Sequence, residues 1–404
     1  MLPASPAHTI PPLSTPENLA ALTRRQEVFA LGALTLGAFA MALNANVMAP
    51  LRPFLATELG IAKDDWGWLL SVAGIAGAIA ALLFGPAIDR WGRRPPMLLG
   101  SLVFVTASVA HLAIESYQGF FLARLFAGFG GGVVYVGASA AVADLVPYER
   151  RGAAMGVFST GIFLALPVGL PLANVLAQAQ HWRWIFAVQA AFGLLTAVAL
   201  WRLVPGGLGR SGLWTSQLRV LRQPGVRAAL GSVLLYTGAF FTTVAYTGEW
   251  LHETGIVPRD AQAWLWITLG LGSAIGSLVL PRFSDRLGKR NFVLLTTLGV
   301  AVCFVLLARV VGARSLLLVG VPITLLTAAR MGPFQALMSE IVPPQMRGGL
   351  MGLRSAAINL GIGVFAAFGG RFYEAYDFER WLYVAAATVV ASYLLIRFGV
   401  RERA

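Results

Sequence analysis

Residues 85–95 read GPAIDRWGRRP and place one acid, Asp89, and three arginines between two long apolar runs. The chain has 404 residues, of which 57% are hydrophobic and only 12% charged, with a mean hydropathy of +0.72. This composition is typical of a membrane protein rather than of two or three soluble domains. So much charge in one short segment therefore needs a local reason.

A helix that spans a bilayer needs about 20 predominantly apolar residues, and the chain contains twelve such runs. We predict an all-α membrane protein with twelve transmembrane helices in two parallel six-helix bundles. The predicted spans are 27–57, 66–88, 96–115, 118–146, 152–178, 183–204, 227–251, 260–282, 291–309, 315–341, 348–371 and 380–398. The longest polar gap follows the sixth span, so we predict bundles at 25–204 and 227–398 with a cytoplasmic linker at 205–226 between them. We also predict a disordered cytoplasmic N-terminus at 1–24 and a cytoplasmic tail at 399–404.

Lysine and arginine are unevenly distributed between the two sides of these spans. If the N-terminus is cytoplasmic, the inner segments hold 21 of them and the outer segments 8. The positive-inside rule then places both termini in the cytoplasm. Most of the basic side chains behind the net charge of +13 would then face anionic lipid on the inner side. No basic run is long enough to predict nucleic-acid binding. We predict a multi-pass protein of a bacterial-type inner membrane.

Two motifs recur at the same separation. DRWGRR at Asp89 is repeated as DRLGKR at Asp285, 196 residues later. DLVPYERRGAAMG at Asp144 is repeated as EIVPPQMRGGLMG at Glu340, again 196 residues later. Two motifs at one offset indicate a six-helix unit that occurs twice, which is the layout of a transporter whose halves rock around a central site.

The repeat gives the charged loop a mechanical interpretation. Asp89 can accept hydrogen bonds from the N–H groups at the start of a neighbouring helix, and the arginines can pair with acids or carbonyls at facing helix ends. Gly92 would permit the turn, and Gly85 a close helix contact. The alternative is that the arginines only set topology. The predicted conformational latch comprises Gly85, Asp89, Arg90, Gly92, Arg93, Arg94, Asp285, Arg286, Gly288 and Arg290.

Three stretches carry a resemblance to the major facilitator superfamily over residues 25–400. GPAIDRWGRRP resembles its loop 2–3 signature, although the second copy, PRFSDRLGKRN, has Pro281 in place of the leading glycine. RLFAGFGGG at 124–132 resembles the fourth-helix motif of the twelve-helix drug:proton antiporter branch. VGLPLANVLAQAQHWRWIF at 168–186 resembles the fifth-helix motif of drug and sugar exporters, with Ala173 in place of a glycine. The resemblance implies a transporter that exports its substrate.

Two arginines lie inside predicted spans, where an ionisable side chain is a functional hypothesis. Arg330 is near the middle of span ten, and a guanidinium at that depth suits a carboxylate or phosphate. Arg124 is in span four, and the resemblance connects it with conformational coupling and proton handling. Its alternative role is a hydrogen bond to backbone carbonyls of a facing helix.

Proton coupling usually requires a titratable side chain in the cavity, and no acid lies at the middle of a predicted span. The first span instead carries Asn44 and Asn46, which hydrogen-bond but do not titrate. The best remaining acid is Glu249, near the outer end of span seven, where a solvated helix end is the simpler expectation. Asp144 and Glu340 are inner-gate candidates for the proton.

Aromatic side chains and helix-bending residues complete the candidate site. Tyr135, Tyr246 and Phe241 are candidates to line the substrate cavity, although aromatics in spans more often serve packing. Pro167, Gly169 and Pro171 in span five are predicted to allow bending.

The leading hypothesis is a transporter that exports a small amphipathic compound, a drug or sugar-like metabolite, with protons as the candidate coupling ion. The second is a facilitator or symporter for an organic anion bound by Arg330 and Arg124. The third is a non-transporting receptor or lipid-handling protein on the same fold.

No nucleophile–base pair or phosphate loop predicts an enzyme. The single cysteine, Cys303, predicts no metal cluster, and we expect no cofactor and a functional monomer.

Overall fold

The computed structural model of the protein describes residues 23–61, 63–146, 150–179, 181–206, 216–258, 261–343 and 346–400. Within these ranges every regular element is helical. A 3₁₀ helix spans Leu280–Phe283. The α-helices are α1 (Arg24–Asn46), α2 (Arg52–Leu59), α3 (Lys63–Trp91), α4 (Arg94–Ala110), α5 (Tyr117–Leu145), α6 (Arg151–Gln178), α7 (Trp184–Leu203), α8 (Ser216–Leu221), α9 (Val226–Thr254), α10 (Gln262–Val279), α11 (Ser284–Leu287), α12 (Lys289–Leu307), α13 (Ala313–Glu340), α14 (Arg347–Ala375) and α15 (Phe378–Gly399).

Eleven helices of the described part are long and apolar enough to cross a membrane. They support eleven of the twelve predicted spans, while the third predicted span is a shorter apolar helix, α4, of 17 residues. The prediction of one continuous first span over 27–57 is wrong. Helix α1 ends at Asn46, and α2 begins at Arg52 after a turn. Pro50 lies in that turn and Pro53 in the first turn of α2, where a missing N–H is tolerated at a helix start but not in its interior.

The two halves of the chain meet mainly along two helix pairs. Helix α3 of the first half packs along α14 of the second, and α6 packs along α10. The backbones approach closely because glycine lies in the α3–α14 contact. A Cβ added to Gly74 would lie 2.7 Å from the carbonyl oxygen of Asn359 and 2.7 Å from the nitrogen of Gly363. Small residues thus permit two polar backbones to lie side by side.

The repeated loop differs between the halves. Helix α3 continues through Gly85 to Trp91, whereas α10 stops at Val279 and is followed by the 3₁₀ helix and the short α11. Pro281 lies in that 3₁₀ segment and cannot donate the N–H that a continuing α-helix needs. Both copies nevertheless turn at their predicted glycine, with φ of +85° at Gly92 and +80° at Gly288.

The termini and the linker are described in part. Residues 1–22, 207–215 and 401–404 lie outside the described ranges, so the predicted disorder and the linker boundaries stay predictions. Helix α1 begins after Thr23, whose side chain accepts from the N–H of Gln26. In the linker, α8 packs on the second half, because Val220 is fully buried with Val226 and Val400.

Candidate functional site

A cavity lies between the two halves of the molecule. Its empty volume is about 1200 Å³, open solvent included. The first half lines it from α1, α3, α5 and α6, and the second half from α9, α13 and α14. Most of the lining is apolar, and its polar side chains are Asn44, Asn46, Arg124, Tyr135, Thr237, Thr242 and Asn359. A mostly apolar cleft with a few polar groups is the usual form of a small-molecule site.

Arg124 is the charged side chain of this lining among the described residues. Its Nη1 donates to the backbone oxygen of Asn44 at 3.2 Å and to the Oδ1 of the same residue at 2.6 Å. The residue is only 2% exposed. Its Nε is buried without a hydrogen-bond partner among the described atoms. A buried, unused donor of this kind is available to a ligand or a water molecule.

The glycine-rich sequence after Arg124 brings α5 close to its neighbours. A Cβ on Gly132 would lie 2.6 Å from the carbonyl oxygen of Gly77, and one on Gly131 would lie 2.8 Å from the sulfur of Met41. Glycine at 132 therefore allows the backbone of α5 to approach that of α3 closely. Arg124, on the same helix, lies against Asn44 of α1.

The two asparagines of α1 have different roles. Asn44 accepts from Arg124 through both its backbone and its side-chain oxygen. Asn46 donates from Nδ2 to the backbone oxygen of Ala42 at 2.8 Å, and its Oδ1 is buried without a partner among the described atoms. Both line the cavity, as do Tyr135 and Phe241. These four predicted residues are thus brought together with Arg124.

Tyr246 is not among the lining residues. Its hydroxyl donates to the backbone oxygen of Ala366 at 3.2 Å, and its ring packs edge-on against Tyr373. Tyr246 therefore packs away from the cavity, and its hydroxyl also lies against Gly67 of α3 in the first half.

Arg330 also lies away from the cavity. Its Nε donates to Thr297 at 2.9 Å and its Nη2 to Ser232 at 3.2 Å. The guanidinium carbon lies 3.9 Å from the ring centre of Tyr236 and 4.4 Å from that of Phe334. The cavity is lined instead by the next residue, Met331, because successive residues of an α-helix point about 100° apart. The structure thus does not bring Arg330 to the predicted anion site.

Glu249 is not a solvated helix end, so that expectation was wrong. It is 8% exposed and forms an ion pair with Arg52, which is 3% exposed. Arg52 begins α2 in the first half, whereas Glu249 is near the end of α9 in the second. The pair therefore joins the two halves at the face of the molecule opposite Arg24 and Gly399, which we call the far face.

The other two candidate acids form pairs within a half. The Nε of Arg93 lies 2.8 Å from Oδ2 of Asp144, and Lys289 pairs with Glu340. Both partners of the second pair lie 196 positions after those of the first, so the internal repeat extends to this contact. Each pair links the start of one helix to the end of another in the same half. Rocking of the halves would leave both pairs intact.

The other latch residues are only partly described. The side chains of Asp89, Arg90 and Asp285 lie outside the described set, so their roles stay predictions. Gly85 and Arg94 are half-buried and Arg286 is exposed. Arg290 donates from Nε to the backbone oxygen of Val400 at 2.8 Å, which holds α12 to the end of α15 within the second half.

The candidate bending residues lie in α6, which runs unbroken through Pro167 and Pro171. Gly169 is close to Leu43 of α1, and Pro167 lies against Gly270 of α10 in the opposite half. Whether α6 bends during transport stays a prediction.

Three lining residues and the ion-pair partner of Glu249 were missed from sequence. Thr237, Thr242 and Asn359 line the cavity. Of these three, only Asn359 could have been identified from sequence, because it is a strongly polar residue within a predicted span. In the sequence Arg52 was assigned to the basic residues of the outer segments. Its pairing with Glu249 depends on the packing of two helices that are distant in sequence. In the part of the chain that the structure describes, no group of three His, Cys, Asp or Glu side chains could hold a metal ion.

The comparisons with known proteins agree with this geometry. The family model of the Major Facilitator Superfamily matches residues 34–248 and 228–404. The inner membrane transport protein YdhP of Escherichia coli (strain K12) is 26% identical over 376 residues, which cover 92% of this chain and 95% of that protein. A chloramphenicol resistance protein of Streptomyces lividans is 27% identical over 262 residues, covering 63% of this chain and 66% of its own. The crystal structure of a D-xylose-proton symporter superimposes with a TM-score of 0.76 at 19% identity, over 93% of this chain and 98% of that one.

Proposed function

This chain belongs to the Major Facilitator Superfamily, and on that premise we propose that it moves a small amphipathic compound across the membrane by alternating access. It is a multi-pass membrane protein of a family that bacteria place in the inner membrane, as the name of YdhP states for that relative. The observation that carries the proposal is the position of the cavity, which takes its walls from both halves. A site between two rigid bundles changes its side of access when the bundles rock.

The direction that we propose is export. The fourth- and fifth-helix motifs, RLFAGFGGG and VGLPLANVLAQAQHWRWIF, resemble those of exporters. The similarity to a chloramphenicol resistance protein supports the same direction. With the termini in the cytoplasm, as the arginine distribution predicts, the far face is the outer face.

The chemistry of the lining favours a substrate with an apolar body and hydrogen-bonding groups. Apolar side chains such as Ala38, Ala73 and Ile362 offer contact area, and Asn46 and Arg124 offer unused polar atoms. The described lining contains no carboxylate, which makes a lipophilic cation the least favoured class because its charge would lack a partner.

An organic anion is the second candidate, and Arg124 favours it. A buried guanidinium with a free donor can form a charge-assisted hydrogen bond with a carboxylate or phosphate. Arg330 no longer supports this candidate, because it does not line the cavity and its Nε and Nη2 donate to residues of the second half. Substrate binding in either reading is therefore assigned to Arg124, Asn44 and Asn46.

A ligand screen separates the candidates. The purified protein would be incubated with panels of lipophilic cations, neutral amphipaths including sugars, and organic anions, and the melting temperature of each mixture measured. A ligand that binds the folded protein raises this temperature. Compounds that bind would then be tested for counterflow in proteoliposomes.

The variants Arg124→Met and Arg330→Met provide the matched control, because each removes one buried arginine from one half. Stabilisation by neutral amphipaths and counterflow of the same compounds would support the leading proposal. Stabilisation by anions that is lost only in Arg124→Met would replace it with the anion transporter. Binding without counterflow of any compound would contradict transport itself and favour a receptor.

A further inference from the structure

We propose that Glu249 is a proton-binding site and that its ion pair with Arg52 is a gate that opens the far face when Glu249 is protonated. The inference rests on the proposed alternating access, and it assigns the gate residues and the ion that works them. It concerns a pair that lies outside the substrate cavity, since neither Arg52 nor Glu249 lines that cavity.

The position of the pair makes it a gate. Arg52 belongs to α2 of the first half and Glu249 to α9 of the second, so opening of the far face has to separate them. Next to the pair, Gly248 of α9 lies directly against the backbone of Ala49 and Pro50. The two halves are therefore held together at the far face by a backbone contact and, beside it, by opposite charges.

The burial of the pair makes it sensitive to one proton. Arg52 and Glu249 are 3% and 8% exposed, and two buried charges are tolerated when each compensates the other. The Nε of Arg52 has no hydrogen-bond partner among the described atoms. If Glu249 accepts a proton, Arg52 loses that compensation and is more stable where water can reach it.

The surroundings of Glu249 hold further titratable groups on every side. Glu253 lies one turn along α9, and its carboxylate accepts from the hydroxyl of Tyr373 on α14. Tyr373 also lies within electrostatic range of both Glu249 and Arg52. One residue further along α9, Trp250 donates from Nε1 to Glu379 at the start of α15, at 2.9 Å. Of these acids, Glu249 is the one whose described ion pair crosses between the halves.

The direction of the effect follows from linkage. The ion pair exists only in the closed far face, where it stabilises the charged carboxylate, so the closed form binds a proton less readily than the open form. Acid therefore favours the open far face, and closing the face requires the proton to leave Glu249. The expected change in the open-to-closed ratio is about 5- to 150-fold, the usual range for coupling between two sites.

The test measures the far face without any substrate. Spin labels would be attached to Gln118→Cys and Val311→Cys, which are exposed positions at the far ends of the two halves, in a Cys303→Ser background. Distances between the labels would be recorded by pulsed electron paramagnetic resonance from about pH 8 to about pH 4.5, the range over which a carboxylate gains its proton. We expect the long-distance fraction to rise as the pH falls.

Two variants test the gate and one serves as control. Glu249→Gln and Arg52→Gln should each give the long distance at about pH 8 and lose the pH response. Glu58→Gln should behave as the parent, because Glu58 pairs with Arg183 inside the first half. Burial acts to raise the pKa of Glu58, but hydrogen bonds from Trp182 and Arg183 together with the charge of Arg183 lower it overall, so it stays charged over most of this range.

The results separate the gate from the transport proposal. The gate is overturned if the parent shows no pH response, or if either folded gate variant keeps the parent's distances and pH response. A compound carried by Glu249→Gln with parent-like distances would leave transport standing and remove the gate. Labels that respond as expected, with no compound carried in any assay, would keep the acid-operated opening and remove the transport proposal.

Discussion

Arg124 and Arg330 look alike in sequence, since each lies within an apolar stretch of a long helix, yet they face different surroundings. Arg124 lies on the cavity wall, is held by one residue, Asn44, and keeps a free Nε. Arg330 lies inside the second half, between two hydroxyl groups and two aromatic rings. The difference teaches that the depth of a charge in the membrane does not identify a ligand site. The decisive property is whether the arginine faces the cavity and keeps a hydrogen-bond donor that no other residue of the bundle accepts.

The largest expected effect is on stability, and it tests the enclosed arginine. Arg330→Ala should lower the free energy of unfolding by about 3 kcal/mol. In the folded bundle the guanidinium has hydrogen-bond partners, whereas on a separated helix it would face an apolar environment without them, so the arginine favours the folded state. Thermal or denaturant unfolding in detergent measures the change. Arg314→Ala, on the same helix but exposed, should change little. If Arg314→Ala lowered stability as much as Arg330→Ala, the loss would not be specific to the buried arginine and the prediction would be wrong.

The next effect is on binding, and it tests the arginine of the cavity. Arg124→Met should weaken the binding of any carboxylate- or phosphate-bearing ligand by about 10- to 100-fold, the loss expected for one charge-assisted hydrogen bond. Titration calorimetry on the purified protein measures the dissociation constant. Folded Arg330→Met should keep the parent affinity. If it loses as much as Arg124→Met, the contrast between the two arginines fails.

The smallest effect isolates one partner of Arg330. Thr297→Val keeps the shape of the side chain and removes the hydroxyl that accepts from Arg330, so stability should fall by about 1 kcal/mol. The adjacent Thr296→Val is the control, because the hydroxyl of Thr296 bonds to the backbone oxygens of Phe292 and Val293. Melting temperatures of the two variants give the comparison. A drop confined to Thr296→Val would contradict the assignment.

The sequence was informative wherever a property depends on one helix or on the repeat. Apolar length located eleven supported spans, and the 196-residue offset anticipated that Lys289 and Glu340 stand where Arg93 and Asp144 do. The break after Asn46 was legible in Pro50 and Pro53, but apolar composition continued across it and concealed it. A window of hydropathy records the composition of a segment and is insensitive to the loss of one backbone donor.

The sequence was uninformative wherever a property depends on the rotation of a helix or on contact between halves. Whether Arg330 or Met331 faces the cavity depends on a turn of about 100° about the axis of α13, and an evenly apolar helix carries no pattern that fixes it. The partner of Glu249 lies 197 residues away in the other half. Neither local propensity nor spacing predicts such a contact, because it arises only when two bundles pack.

Helix α4 has a consequence for the membrane itself. Its 17 residues rise about 25 Å, which is shorter than the hydrocarbon layer of about 30 Å. Leu99, Leu102 and Val109 are exposed on its surface and so face lipid. If α4 crosses the membrane, the bilayer beside it has to thin or flanking side chains have to extend to the interface, at a cost that grows with acyl-chain length. The thickness of the host membrane would then act on this protein through a single helix.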